Sequence, residues 1–229
     1  MSLQNTKKKT IYLVGTTSLN FNNLTIEAIK TINKSECVIL SDKTPKKFIS
    51  QLKRINTRLC LVRQLSTNKK EFIDSVYKIS LSYRIISILE IDDPIFIGEE
   101  IEKYKFFAKK GFQIKIVSGI INLLDFLNLK LEPITDRKKN SAVSFIESKK
   151  IIVDNQIKNL NQVQKLIIKL NHEKGNKVLV KILTNLNQFS KFNFVDTLTY
   201  QKISLKKESD LLNKTIKKRN FNYLILEKI

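Results

Sequence analysis

The sequence predicts an α/β fold: a mainly parallel sheet covered by helices on both faces, followed by a second, mixed α/β domain. Three observations lead there. Short apolar runs alternate with helically spaced apolar residues through about residue 130, the pattern of strands joined by helical crossovers. The texture changes after Pro133, where short apolar runs become more frequent. The chain is long enough, at 229 residues and 42% hydrophobic, to bury a substantial core, which excludes wholesale disorder.

Each element has its own signal. Residues 11–15 form an apolar run that ends in Gly15, read as a strand. Residues 25–33 place Ile26, Ala28 and Ile29 at helical spacing, and 37–40 are a second buried strand closed by Ser41–Asp42. Pro45 suits the first turn of a helix over 45–54. A third strand spans 59–62, and 70–80 is a helix with Phe72, Ile73, Val76 and Ile79 on one face. A fourth strand spans 85–91. A helix over 99–110 is stopped by Gly111. A fifth strand over 113–117 leads through Gly119 into a helix over 120–129. Beyond the boundary, strands are expected at 142–146, 151–153, 178–182 and 223–226, with helices near 160–171 and 209–218. The expected domains are 1–132 and 133–229.

The formal charge is +21, from 42 Lys and Arg against 21 Asp and Glu. Such an excess suits a polyanionic partner. AT-rich coding produces the same imbalance: there are 36 Lys against 6 Arg, with 21 Asn and 3 Ala. Arginine, the residue suited to bidentate phosphate contacts, is the scarce one. No apolar run approaches a membrane span, so no membrane partner is expected. The start of the chain lacks the apolar stretch of a secretory signal. Two cysteines, Cys37 and Cys60, in apolar runs offer neither a disulfide framework nor a zinc site, so no metal and a cytoplasmic location are expected. His172 is alone in a Lys- and Asn-rich segment, which weakens any Ser–His or Cys–His hydrolase.

Three places carry candidate chemistry. Asp42 directly follows a buried strand, where open α/β sheets bind ligands. It is either a base or ligand-fixing group, or a cap for the helix beginning near Pro45. Asp92–Asp93–Pro94 follows the strand at 85–91, either binding a ligand hydroxyl or amine, or forming a turn with an N-cap. The loop Gly15–Thr16–Thr17–Ser18 presents backbone N–H groups after the first strand.

The order and spacing of these pieces resemble the tetrapyrrole methylases, and among them the uroporphyrinogen-III C-methyltransferases. Tyr12–Leu13–Val14–Gly15, then Leu24–Thr25 and Ala28, is similar to the family's opening. Val38–Ile39–Leu40–Ser41–Asp42 resembles Val-Val-Leu-Tyr-Asp. The run from Leu89 to Gly98 resembles Leu-Lys-Gly-Gly-Asp-Pro-Phe-x-Phe-Gly. In the same register follow Gly111, then Val117–Ser118–Gly119–Ile120 for Val-Pro-Gly-Ile, then Pro133, Thr135 and Arg137, then 141–146 for Ser-Ser-Val-Thr-Phe-Val. Thr184 to Gln188 and Thr197–Leu198 resemble two later motifs.

The resemblance implies two α/β domains with a cofactor cleft between them, a homodimer, and S-adenosylmethionine as methyl donor. It implies two methylations of an anionic tetrapyrrole, giving precorrin-2 on the route to sirohaem or cobalamin. It places the proton acceptor on Asp42. The family's proton-donor lysine falls on Arg63, which is too weak an acid for that role and instead suits a substrate carboxylate. Cofactor contacts fall on Gly15, Ser18, Ile91, Asp92, Asp93, Phe96, Ile121, Asn122, Asp154 and Leu183. The chain departs from the family where Thr16 to Phe21 replaces a loop rich in Gly and Pro, where Ile91 replaces a Gly, and where Asp154 replaces a Met. A sister family with the same fold, the small-subunit rRNA cytidine 2′-O-methyltransferases, is the alternative. Its Thr-Pro-Ile-Gly-Asn-Leu compares with Thr16 to Phe21, and basicity suits RNA as a partner. A third reading is a non-catalytic remnant that binds an anionic partner.

Overall fold

The structure is a computed structural model that describes residues 8–17, 20–41, 44–62, 69–96, 101–135, 142–147, 163–170, 189, 191–197, 201–205 and 221–228. It divides into two compact units, Met1–Asn122 and Leu123–Ile229.

The first unit is a five-stranded sheet. Its strands are β1 (Thr10–Thr16), β2 (Cys37–Ser41), β3 (Leu59–Val62), β4 (Ile85–Ile91) and β5 (Gln113–Val117). The spatial order is β3-β2-β4-β1-β5, and every pairing is parallel. The intervening helices are α1 (Ile26–Lys34), α2 (Lys46–Leu52), α3 (Lys69–Leu81) and α4 (Ile101–Lys109). Strand side chains alternate between faces, and here both faces are apolar. Ile11, Leu13, Cys37, Ile39, Ile86 and Ile88 pack with Phe72 and Val76 of α3 and Tyr104 and Phe107 of α4. Val14, Val38, Leu40 and Leu89 point the other way, to Ala28 and Ile32 of α1 and Phe48 and Leu52 of α2. The predicted helices-on-both-faces arrangement is therefore the observed one.

Thr25 caps α1, its Oγ1 accepting from the Ala28 N–H at 3.1 Å. Gly111, at φ +86°, turns the chain out of α4.

Away from the strand carboxyl ends, a buried polar cluster locks α1 to the sheet. Asn56 Nδ2 donates to the carbonyls of Ile32 (2.8 Å) and Ser35 (2.7 Å), and its Oδ1 accepts from the Arg58 N–H at 2.9 Å. Ser35 Oγ bonds Ser87 Oγ of β4 at 2.6 Å. Asn56→Ala removes all three bonds; the Ile32 carbonyl keeps the Ser35 N–H at 3.2 Å, while the Ser35 carbonyl and the Arg58 N–H lose this partner. The substitution is expected to cost about 2–4 kcal/mol, read as a lower urea midpoint at unchanged m-value.

The second unit begins with α5 beyond its first residue; the helix spans Asn122–Leu129. Its strands are β6 (Val143–Glu147), β7 (Lys165–Lys169), β8 (Lys191–Asp196), β9 (Gln201–Leu205) and β10 (Tyr223–Glu227), in the order β6-β7-β10-β8-β9. Only β6 and β7 pair in parallel; the other neighbours are antiparallel. The helix expected near 160–171 is corrected here: residues 165–169 are strand β7. Leu160, Val163, Ile167 and Leu170 sit at helical spacing, but Leu166, Ile167 and Ile168 are all buried because β7 is interior to the sheet. A strand covered on both faces shows no alternation, so period alone misassigns it. Strands β8 and β9 were not anticipated, while β6 and β10 fall within a residue of expectation. The expected strands at 151–153 and 178–182 and the helix at 209–218 lie outside the described residues.

Lys165 is buried beneath the segment that follows α5. Its Nζ pairs with Glu227 at 3.0 Å and donates to the Pro133 carbonyl at 3.2 Å. Glu227 also pairs with Lys191 at 2.9 Å. Because Lys165, Glu227 and Lys191 are direct cross-strand neighbours on β7, β10 and β8, the carboxylate lies between two cations. Lys202 of β9 reaches Glu132 in the same segment.

Candidate functional site

The strand order creates a switch point. From β1 the chain leaves through α1 toward β2; from β4 it leaves through α4 toward β5, on the opposite face. The β1 and β4 carboxyl ends are neighbours, so a crevice is expected between their departing loops.

The residues there are packed backbone against backbone. A Cβ on Gly15 would lie 2.5 Å from the Gly119 nitrogen and 2.6 Å from the Asp92 carbonyl oxygen. A Cβ on Gly119 would lie 2.6 Å from the Gly15 carbonyl carbon and 2.7 Å from the same oxygen. The ends of β1 and β4 and the loop after β5 thus cross at a point where only glycine fits.

Around this crossing the polar groups are matched. The Asp92 N–H donates to the Thr16 carbonyl at 3.1 Å. Thr16 Oγ1 donates to the Glu90 carbonyl at 2.9 Å, and Thr17 Oγ1 to the Ile120 carbonyl at 2.9 Å. Asp92 is buried, with φ +67°. Its Oδ1 accepts the Asn122 N–H at 2.7 Å, at the first turn of α5. Asp93 Oδ1 accepts from the Ile95 N–H at 2.9 Å and its Oδ2 from the Gly119 N–H at 3.3 Å. The two carboxylates hold the β5–α5 loop to the end of β4. Just inside, Tyr104 of α4 donates to Glu90. Burial first, then the Glu90 charge and hydrogen bond, push the tyrosine hydroxyl well above its ordinary range, so it stays a donor.

The left-handed backbone at Asp92 is tolerable for Asp and Asn but strained for other residues with a Cβ. Asp92→Ala combines that strain with loss of the cap on Asn122. It is expected to cost about 1–3 kcal/mol, whereas Asp92→Gly relieves the strain and falls near half of that. Thermal melts of the two variants check the order.

The structure brings together Gly15, Ile91, Asp92, Asp93, Phe96, Ile121 and Asn122 of the sequence candidates, all near the β1, β4 and β5 ends. The Phe96 N–H closes the turn onto the Asp93 carbonyl at 3.2 Å. Ser18, Asp42, Arg63, Asp154 and Leu183 lie outside the described residues; Asp42 follows Ser41 at the end of β2, and Arg63 follows Val62 at the end of β3. The sequence reading left Gly119, Thr16 and Thr17 off the list of site residues. Gly119 had a signal in its motif; the two threonines lay in a loop read for its backbone N–H groups, and their side-chain role is revealed by complete burial and their partners.

Beside the crossing are apolar side chains that the core does not take. Ile91, Ile95 and Ile120 are 49%, 50% and 40% exposed. Three large apolar groups at a switch point suit a ligand with a flat or thioether-like apolar part. Among the described residues there is no cluster of three or more His, Cys, Asp or Glu side chains able to hold a metal. No helix among them is long and apolar enough to cross a membrane.

The profile of the family "Tetrapyrrole (Corrin/Porphyrin) Methylases" matches residues 10–197. A sequence comparison with curated proteins finds no match. Among solved structures, a uroporphyrin-III C-methyltransferase from Thermus thermophilus superposes with a TM-score of 0.72 at 16% identity, covering 96% of this chain and 92% of that one. A structure of that enzyme complexed with S-adenosylhomocysteine gives 0.71 at 15%, covering 95% and 97%. A cobalt-precorrin-4 methyltransferase of cobalamin biosynthesis gives 0.73 at 13%, covering 96% and 95%. At these identities the likenesses establish the fold.

Proposed function

Because the chain belongs to the tetrapyrrole methylase family, we propose that it transfers methyl groups from S-adenosylmethionine to carbon atoms of uroporphyrinogen III, giving precorrin-2. The observation that carries the reading is the family's strand-end turn, Leu89 to Gly98. Its described part, through Phe96, lies at the switch point against Gly15 and Gly119.

The residues at this point fit the cofactor. Ile91, Ile95 and Ile120 offer apolar surface to an adenosyl group, and Asp92 and Asp93 put carboxylates where a sulfonium cation is favoured. Gly15, Phe96, Ile121 and Asn122 complete the described part of the set; Ser18, Asp154 and Leu183 complete the rest. Bound there, the cofactor supplies a methyl made electrophilic by its sulfonium. The chain's own task is alignment, holding donor and acceptor in line. Hydrogen bonds from Gly119, Asn122 and Ile95 fix the two carboxylates in advance. Asp42 takes the proton released as the macrocycle settles. Arg63 holds a substrate carboxylate bidentately. A substrate with eight carboxylates suits a chain of charge +21. A homodimer in the cytoplasm, serving sirohaem or cobalamin synthesis, belongs to the same reading.

The test is methyl transfer from labelled S-adenosylmethionine to uroporphyrinogen III or to small ribosomal subunits lacking the modification. Two methyl masses on the porphyrinogen are expected. Label in rRNA alone would move the chain to the sister activity. No label in either, and no heat with the cofactor or its demethylated product, would leave a non-catalytic remnant.

A further inference from the structure

Cys37 and Cys60 lie on neighbouring parallel strands, β2 and β3. The register pairs Ile39 with Cys60, so Cys37 is two residues from direct opposition and its side chain emerges on the same sheet face. Both side chains belong to the core under α3 and α4. Their sulfurs are 3.0 Å apart and both are free thiols.

The two thiols are unlike. Cys37 is fully buried, while Cys60 is partly exposed on β3, the edge strand. The Cys37 S–H donates to Cys60 Sγ. Burial above all, then the hydrogen bond and charge of Cys60, push the Cys37 thiol far up. Being the more exposed of the two, Cys60 is the sulfur that an oxidant reaches, and Cys37 the one that waits beside it.

We propose that Cys37 and Cys60 form a reversible intramolecular disulfide under hydrogen peroxide, a covalent modification site in the first unit. The Cys60 sulfur attacks the peroxide O–O bond, giving a sulfenic acid and hydroxide, and the hydroxide takes the Cys60 proton to become the first water. Cys37 then attacks the Cys60 sulfur, its proton leaves with the departing hydroxyl as water, and the S–S bond forms. Two thiols lose two electrons, and one peroxide becomes two waters. Diagonal cross-strand positions lie near the upper limit for bridging. An edge strand hydrogen-bonded on one side only has the freedom to slide and close the gap. Once formed, the bridge fixes β3 against β2, and so the two strand ends that lead into Asp42 and Arg63.

The experiment uses the full chain, oxidised with stoichiometric peroxide, alkylated under denaturing conditions, and read by intact mass and peptide mapping. The expected result is loss of two hydrogens, no alkylation at either cysteine, a Cys37–Cys60 linked peptide, and full reversal by dithiothreitol. Cys37→Ser should instead hold the sulfenic acid at Cys60, trapped by dimedone, and Cys60→Ser should leave Cys37 alkylatable. Oxygen added at Cys60 with Cys37 still alkylatable, a chain-to-chain disulfide, or two thiols that survive peroxide would each overturn the proposal. None of these readouts depends on methyl transfer.

Discussion

Gly15→Ala is expected to be among the most damaging single changes in the first unit. The added methyl would stand 2.5 Å from the Gly119 nitrogen and 2.6 Å from the Asp92 carbonyl oxygen, both backbone atoms that no rotamer change can move aside. Relief requires β1, the turn after β4 and the loop after β5 to separate. That costs about 3 kcal/mol or more, or a fall of about 6–12 °C in the melting midpoint for a chain of this size. The separation would also pull the Gly119 N–H from Asp93, now at 3.3 Å. On the proposed function, heat on titration with S-adenosylmethionine should therefore vanish even where the variant is still folded. Gly119→Ala meets the same Asp92 carbonyl oxygen, at 2.7 Å, and the Gly15 backbone. Because the two share one crossing, the double variant should cost clearly less than the sum. A Gly15→Ala protein that melts and binds like the parent would show that the crossing is looser than described.

Glu227→Leu is the counterpart in the second unit. It leaves the Lys165 ammonium, whose side chain is 5% exposed, with the Pro133 carbonyl alone among the described residues. An uncompensated buried charge costs about 3–5 kcal/mol. Lys191→Met should cost under about 1 kcal/mol, because its side chain is 45% exposed. The double variant Lys165→Met with Glu227→Leu should recover most of the loss, since an apolar pair replaces an ionic one. Urea midpoints of the four proteins settle the order.

The same pair gives a pH dependence with a definite sign. Burial pushes the Glu227 carboxyl up, but hydrogen bonds from Lys191 and Lys165 and their charges outweigh it and hold the group below its ordinary value. The unfolded chain therefore takes up this proton at a higher pH than the folded one. The stabilisation is present above the ordinary glutamate range and is lost as pH falls through that range and below it. Glu227→Gln should flatten the acid limb of the stability curve, with little change of slope above pH about 6.

Much of the first unit was legible from the chain itself. The runs at 37–40, 59–62, 85–91 and 113–117 are strands within a residue of expectation, because a parallel strand between two helical layers is apolar on both faces and bounded by turn residues. Gly111 marked a helix end because such caps are set by neighbours in sequence. Asp92 was legible as a strand-end carboxylate, and its two candidate roles were named. Which helix it caps was not legible, since α5 begins thirty residues further on.

The sequence by itself determined the βα order, the apolar faces, the position of the strand-end turn and the family. These rest on local spacing and on motifs that keep their distances. Tertiary structure alone decided the strand order β3-β2-β4-β1-β5, and with it the switch point between β1 and β4. It also decided the Gly15–Gly119 crossing, the burial of Lys165 beside Glu227, the meeting of two cysteines 23 residues apart, and the strand at 165–169. In each case the energy lies in a contact between segments distant in the chain. Its sign depends on what burial removes from water, and that is settled only when the sheet has formed.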